Sequence, residues 1–345
     1  MENGRELVFT KEELAQFEDW GFVKLSHVFT RETAEACRSI IQRRCKEQSN
    51  ADFEDSSSWP RVVGLRDIFS SEDGAPWRDV ITSRFTAAVN EILGEGAWNP
   101  FGIGWWVVSF PLNYSSSSAF EVEGAWHIDG GSLADHSLLK REIALIPIML
   151  FSDIRPNAGA TCVLCGSHKV AVRILSEAGA AGLRAGAITE RILATHNDDD
   201  GASFEVVELT GEMGDVVFLH PLLVHARSRN NGAEGGASSI RIICHPTISL
   251  REKMNLHPAA SSSSSTVKRA STSQTLLEKT FQDNVGADYS LYSIDPAASK
   301  DSLHQTNTNH RAESVSDECL QALGFNSFRK KGKQEFSRRK RARLS

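Results

Sequence analysis

His127 and Asp129 stand two residues apart in the stretch Ala125-Trp126-His127-Ile128-Asp129-Gly130-Gly131. In an extended chain, residues i and i+2 project to the same side. This spacing therefore presents one imidazole and one carboxylate to the same space, and the two glycines let the backbone turn away directly afterwards. A redox-active iron held by side chains takes two histidines and one carboxylate on one face and keeps the opposite positions open. The chemistry needs a second histidine. His225 is the best placed, because it ends the apolar run Leu222-Leu223-Val224 and is followed by a polar loop. His220, beside Pro221, is its competitor.

Arg241 lies on the next apolar run. By the two-residue period, Ser239, Arg241, Ile243 and His245 share one face, and Ile240, Ile242 and Cys244 share the other. Burying a guanidinium is costly unless it is paired, and its planar fork suits a carboxylate taken through two bonds. No acid lies on this run, so the expected partner is the carboxylate of a ligand. His136, His168 and His245 read as structural or supporting groups. Cys162-x-x-Cys165 has no second pair downstream and reads as ordinary buried thiols. Trp105 and Trp106 must split between faces, one into the core and the other toward a pocket.

The elements that position these residues follow from local signals. Thr10 with Glu13 forms a capping box ahead of a helix to Trp20, stopped by Gly21. Phe22 to Leu25 is a short strand, and Thr30 opens a second helix running to about Lys46. A third helix is expected from Pro76 to Leu93, with proline in its first turn and Gly94 after its end. From Gly104 the period changes to that of strands, with His127 and Asp129 on one of them. Ile143 to Phe151 is a long apolar strand in which Pro147 implies an edge or a bulge. Further strands are expected at 161–164, 204–209, 216–219, 222–226 and 239–245, with an insertion of some helical character at 170–201. Helices followed by about eight short strands predict a mainly β fold with a helical cover, a sandwich or barrel.

The chain has 345 residues, 40% hydrophobic, with a formal net charge of −6. That charge is uneven: residues 326–345 carry a net +8 and the rest a net −14. An acidic body is a poor broad surface for nucleic acid, which leaves only the basic tail for such contacts. No apolar run approaches a membrane span, the N-terminus is too charged for a signal peptide, and six scattered cysteines fit a reducing, intracellular setting. Beyond Pro258 serine, threonine and asparagine dominate. The expected division is a folded domain over 1–258 and a largely disordered tail over 259–345, with a short helix near 314–323. Two basic clusters, 329–333 and 338–343, resemble a bipartite nuclear import signal, so the chain is expected to be cytoplasmic or nuclear.

Taken together, these motifs resemble the phytanoyl-CoA dioxygenase family of Fe(II)- and 2-oxoglutarate-dependent oxygenases. The likeness covers roughly residues 7–250: Trp20 to Leu25, Trp126 to Gly130, Asn157-Ala158-Gly159, Gly166 to Lys169, Gly214-Asp215 to His225, Asn230, and Arg241. It implies a double-stranded β-helix (jelly-roll, cupin-like) barrel with N-terminal helices. It also implies His127, Asp129 and His225 on iron, Arg241 on the distal carboxylate of 2-oxoglutarate, and O2 as co-substrate. The implied outcome is hydroxylation of a small-molecule or lipid-like substrate with release of succinate and CO2. A non-catalytic regulatory protein that binds metal and 2-oxoglutarate and carries a nuclear-targeted tail is the alternative. Two departures stand out: Arg227 occupies the position two after His225, often small or Ser in the family, and the loop to Arg241 is lengthened by Gly232 to Gly236. Acyl-coenzyme A would require basic groups for its phosphates, for which Lys140, Arg141, Arg155, Lys169 and Arg173 are the candidates.

Overall fold

Thr10 accepts from the Glu13 backbone N–H while the Glu13 carboxylate accepts from the Thr10 N–H. This capping box opens α1, Lys11–Trp20, and Gly21 closes it at φ 85°. In the computed structural model, which describes residues 7–111, 120–130, 135–136, 143–197, 204–232, 236–252, 254, 256, 274–285 and 326–328, this helix leads into an antiparallel framework. The elements in order are α1, β1 (Phe22–Leu25), α2 (Arg31–Ser49), β2 (Val62–Leu65), α3 (Ser83–Leu93), β3 (Trp106–Ser109), β4 (Asp135–His136), β5 (Ile143–Leu150) and β6 (Thr161–Leu164). They continue with α4 (Ser167–Ala178), β7 (Leu183–Arg184), α5 (Ala185–Asn197), β8 (Val206–Leu209), β9 (Val216–Leu219), β10 (His225–Arg227), β11 (Arg241–Cys244), β12 (Ile248–Ser249), α6 (Leu276–Gln282) and β13 (Asn326–Phe328).

The major sheet runs β1-β9-β5-β11-β3-β2, with β12 also on β5. The minor sheet runs β10-β6-β8-β13, and β4 pairs with β7. Each strand pairing is antiparallel. Alternation sorts the side chains. Ile146, Ile148 and Leu150 of β5, Val217 and Leu219 of β9, and Ile243 of β11 join Val163 of β6 and Val207 of β8 in an inner apolar cluster shared by the two sheets. The opposite face of the major sheet, with Val23, Met149, Phe218, Ile242 and Cys244, packs with Phe17, Ile41, Cys37, Phe85 and Val89 of the helices. The expected mainly β fold with a helical cover is therefore present as two antiparallel sheets around a common interior.

Several local expectations change. The third helix begins at Ser83, with Thr82 accepting from the Phe85 N–H as its cap; Pro76 opens only a short 3-10 turn, Trp77–Asp79. β5 is internal rather than an edge. Pro147 is tolerated because the neighbouring ladder is interrupted there, between the β11 pairing at Met149–Leu150 and the β12 pairing at Ile143–Leu145. The segment around His127 is not a regular strand, as described below.

One described helix lies beyond residue 258. This is α6, opened by a capping box between Thr275 and Glu278, and it packs on α1, α3 and α4. Leu277 and Phe281 are buried, Lys279 pairs with Glu18 at 2.6 Å, and Thr280 Oγ1 lies 3.1 Å from His220 Nε2. A short capped segment with two apolar residues was hidden by the serine-rich composition around it. The expected helix near 314–323 and both basic clusters lie outside the described residues. Phe281→Ala is expected to lower the unfolding free energy by about 3–5 kcal/mol in a urea titration; an unchanged midpoint would contradict the docking of α6.

Candidate metal centre

β10 is fixed by its pairing with β6, His225 opposite Val163 and Arg227 opposite Thr161. The segment 121–127 then runs antiparallel along the free edge of β10. Arg229 N–H donates to the Glu121 carbonyl, and the N–H groups of Glu123 and Gly124 both donate to the Arg227 carbonyl. Two residues earlier on β10, His225 and His127 exchange both backbone bonds, each at 2.9 Å. Four residues of the first segment thus span what two residues of β10 span. This is a bulge, and it re-aims the side chains that follow it. It explains why His127 is held by a single bridge to His225 rather than in an extended strand.

The reciprocal pair brings the two imidazoles together, with ring centroids 4.3 Å apart and the ring planes tilted by 52°. Asp129 joins them, its Oδ1 at 3.6 Å from His127 Nε2 and 3.7 Å from His225 Nε2. One ligand atom from each residue lies within 4.8 Å of the others. The remaining ring nitrogens are tied down. His127 Nδ1 is 2.9 Å from the Ala125 carbonyl and His225 Nδ1 is 3.0 Å from the Leu223 carbonyl. A carbonyl only accepts, so each Nδ1 carries the proton and each Nε2 lone pair is left for the centre, an orientation typical of metal-ligating histidines.

The charges agree with that reading. Burial opposes ionisation of Asp129, but the neighbouring His225, His127 and His245 outweigh it and hold the carboxyl well below the usual range. Burial lowers His225, while for His127 the contacts with Asp129 and the Ala125 carbonyl overcome burial and raise it. Asp129 Oδ2 is buried with no hydrogen-bond partner among the described residues. Two inward lone pairs, an ionised carboxylate and an orphaned oxygen fit a divalent cation of the iron type. His220 is elsewhere: its Nδ1 accepts from the Leu222 N–H at 3.1 Å, and its ring packs against Phe281 and His168.

Arg241 sits on the inner face of the major sheet, as its alternation with Ile243 predicts, and is 2% exposed. Its Nη2 donates to Thr161 Oγ1 across the sheets at 2.8 Å, and its Nε has no partner. No carboxylate pairs with it among the described residues. Burial and nearby Arg227 push its pKa down to about 9. Asn230 fixes the loop that delivers Arg241, donating to the carbonyls of Ser109 and Ser239 at 3.0 and 2.8 Å. The loop packs on Gly159, at φ 77°, where a Cβ would fall 2.9 Å from that of Asn230. A buried cation without an anion fits one carboxylate of a dicarboxylic ligand. Arg227, on the His225 face of β10, pairs with Glu123 at 3.2 Å.

One neighbour of Asp129 was read only as a supporting group. His245 Nδ1 lies 4.0 Å from Asp129 Oδ2, and burial lowers its pKa to about 4. Its shared parity with Arg241 was the available signal. Cys162 and Cys165 are free and buried, with burial raising both thiols. Trp106 enters the core, whereas Trp105 is 46% exposed.

The sequence matches the family described as phytanoyl-CoA dioxygenase (PhyH) over residues 17–235, which include His127, Asp129 and His225 and stop short of Arg241. No curated protein matches it. Similar solved structures include HygX from Streptomyces hygroscopicus with nickel and 2-oxoglutarate bound, at 18% identity and a TM-score of 0.41, covering 72% of this chain and 90% of that one. AviO1 from Streptomyces viridochromogenes Tue57 is 15% identical with a TM-score of 0.44, covering 73% of this chain and 99% of that one. EctD from S. alaskensis is 15% identical with a TM-score of 0.45, covering 73% and 81%.

Purified anaerobically, the protein is expected to bind one Fe(II) per chain, with affinity reduced by more than ~100-fold in His127→Ala and His225→Ala. His220→Ala should retain the metal. The reverse pattern, measured by metal analysis after gel filtration, would overturn the choice of His225.

Proposed function

The chain belongs to the phytanoyl-CoA dioxygenase family, and on that premise we propose that it hydroxylates a small organic substrate, with Fe(II) as cofactor and 2-oxoglutarate and O2 as co-substrates. The observation that carries this reading is the pairing of the His127–Asp129–His225 cluster with a buried, acid-free Arg241. When bound, the iron and 2-oxoglutarate supply oxidising power, with succinate and CO2 as products. The chain's own residues do the placing. His127, Asp129 and His225 offer three donors from one side and leave the other positions open. Arg241 takes the far carboxylate of 2-oxoglutarate, and Thr161 holds its guanidinium in place. The inner apolar cluster around Ile243 and Leu150 keeps water from that end of the site.

Two details narrow the chemistry. Related enzymes that halogenate carry a small residue where this chain has Asp129, so its carboxylate favours hydroxylation. Of the basic groups considered for acyl-coenzyme A phosphates, Lys169 is paired with Asp19 at 2.7 Å and Arg173 reaches Asn284. Both are on α4 and engaged within the protein, while Lys140 and Arg141 lie outside the described residues; the engaged pair favours a small substrate over an acyl-coenzyme A. There is no helix among the described residues long and apolar enough to cross a membrane.

Arg241→Ala leaves a carboxylate unpaired in a semi-buried site, a cost of about 2–5 kcal/mol. Weakening of 2-oxoglutarate by roughly 30- to several-thousand-fold is therefore expected, while iron binding survives. Arg241→Lys should recover only part, because an ammonium lacks the fork. The test is titration of 2-oxoglutarate into the anaerobic Fe(II) protein, followed by the metal-to-ligand absorption band. Unchanged affinity would transfer the role to another residue, with Arg227 first in line; loss of iron would make Arg241 structural.

A further inference from the structure

Three residues form a backbone row at the rim of the major sheet, one position beyond its paired register. Trp106 is opposite Leu65 on β2 and Cys244 on β11. One residue further along the row come Arg66, Trp105 and His245, and the His245 N–H donates to the Trp105 carbonyl at 3.3 Å. The inner end of the row touches the metal cluster, since His245 Nδ1 is 4.0 Å from Asp129 Oδ2. The outer end is open.

Trp105 is unusual in two independent ways. It is one of only three large apolar residues exposed among the described residues, with Ile68 at 65% a second. It also adopts φ 60°, a left-handed conformation that is an outlier for a bulky side chain. Strain of this kind persists where the surroundings impose it, and it clusters at binding sites. Here it departs from strand geometry immediately before β3, at the residue whose ring remains in solvent. Ile68 lies over Gly102 and Gly104, where an added Cβ would meet it at 2.3 and 3.0 Å, so the glycines make room for a second exposed apolar group against the segment that leads into Trp105. The Arg66 guanidinium stacks on the indole with its Cζ 4.4 Å from the ring centroid, and no carboxylate pairs with it among the described residues. A stacked arginine keeps its in-plane donors available for an anion.

We propose that Trp105, Ile68 and Arg66 form the substrate-reading lip of the site, and that the substrate is a small organic anion with a flat or apolar body. The body lies against Trp105 and Ile68, the anionic group meets Arg66, and the row through His245 leads the reacting end toward Asp129. This rests on the oxygenase reading for the identity of the inner site, but not for binding at the lip.

The test uses the full chain with Fe(II) and 2-oxoglutarate under nitrogen. The probes are 1-naphthoate and the uncharged 1-naphthalenemethanol, with binding read by ligand-observed NMR. Naphthoate is expected to bind the unmodified protein, and Trp105→Ala to weaken it by about tenfold or more. Trp105→Phe should keep most of the binding. Arg66→Ala should weaken naphthoate by about tenfold and leave the alcohol unchanged. The iron–2-oxoglutarate absorption band should be the same in all variants, a result that a merely structural role for Trp105 would not give. No naphthoate binding to the unmodified protein, or equal binding in Trp105→Ala, overturns the lip. An absent absorption band with Trp105-dependent naphthoate binding instead overturns the oxygenase reading and leaves the lip standing.

Discussion

The two backbone bonds exchanged by His127 and His225 are the constraint on which the site depends. Side chains directly opposite each other in an antiparallel pair project to the same face. This single bridge therefore brings together two imidazoles separated by nearly a hundred residues of chain. The bulge just before it, where Glu123 and Gly124 share one carbonyl, sets which way the next residues point. Ion pairs then clamp the bulged segment: Glu123 with Arg227 of β10 and with Arg61 just before β2, and Glu121 with Arg229 just after β10. Individually, exposed pairs contribute little. Here they hold a backbone that has few ladder bonds of its own, so their effect is on geometry more than on stability.

The second constraint is electrostatic. The inner cluster is apolar, yet Arg241 enters it with one hydroxyl for company. An isolated buried cation is unfavourable, and burial already pulls its pKa down. The same interior holds Asp129 ionised against burial through the surrounding imidazoles. The protein thus holds Asp129 poised for a cation and Arg241 poised for an anion. A metal and a dicarboxylate relieve both costs at once. Arg241 stands on a paired strand, which limits how far it can relax when its partner is missing.

Much of this was legible in the sequence. The two-residue period put Arg241 and His245 on the Ile243 face, and the spacing of His127 and Asp129 put both on one side. His225 was expected at the end of a strand over 222–226 and instead opens β10, apart from His220, whose nitrogens are taken up by Leu222 and Thr280. What escaped has physical reasons. A bulge depends on which carbonyl two N–H groups share, and no residue type marks it. Pro147 read as an edge or a bulge because the ladder break beside it is made by other strands. α6 was masked by its serine-rich neighbourhood, although its capping box was present in the residues. Trp105 could be assigned to the face opposite Trp106, but its left-handed backbone and its stacking under Arg66 depend on tertiary contacts.

The central claim is that this cluster and Arg241 together form a working oxygenase centre rather than a binding site alone. Release of labelled CO2 from carboxyl-labelled 2-oxoglutarate tests it most directly, with a small-metabolite extract supplied as the source of substrate. The account predicts release that requires both Fe(II) and O2, matches succinate formation one for one, and disappears in Asp129→Ala. Tight binding of Fe(II) and 2-oxoglutarate with no CO2 release under any of these conditions would contradict it, and would make the protein a sensor of the two.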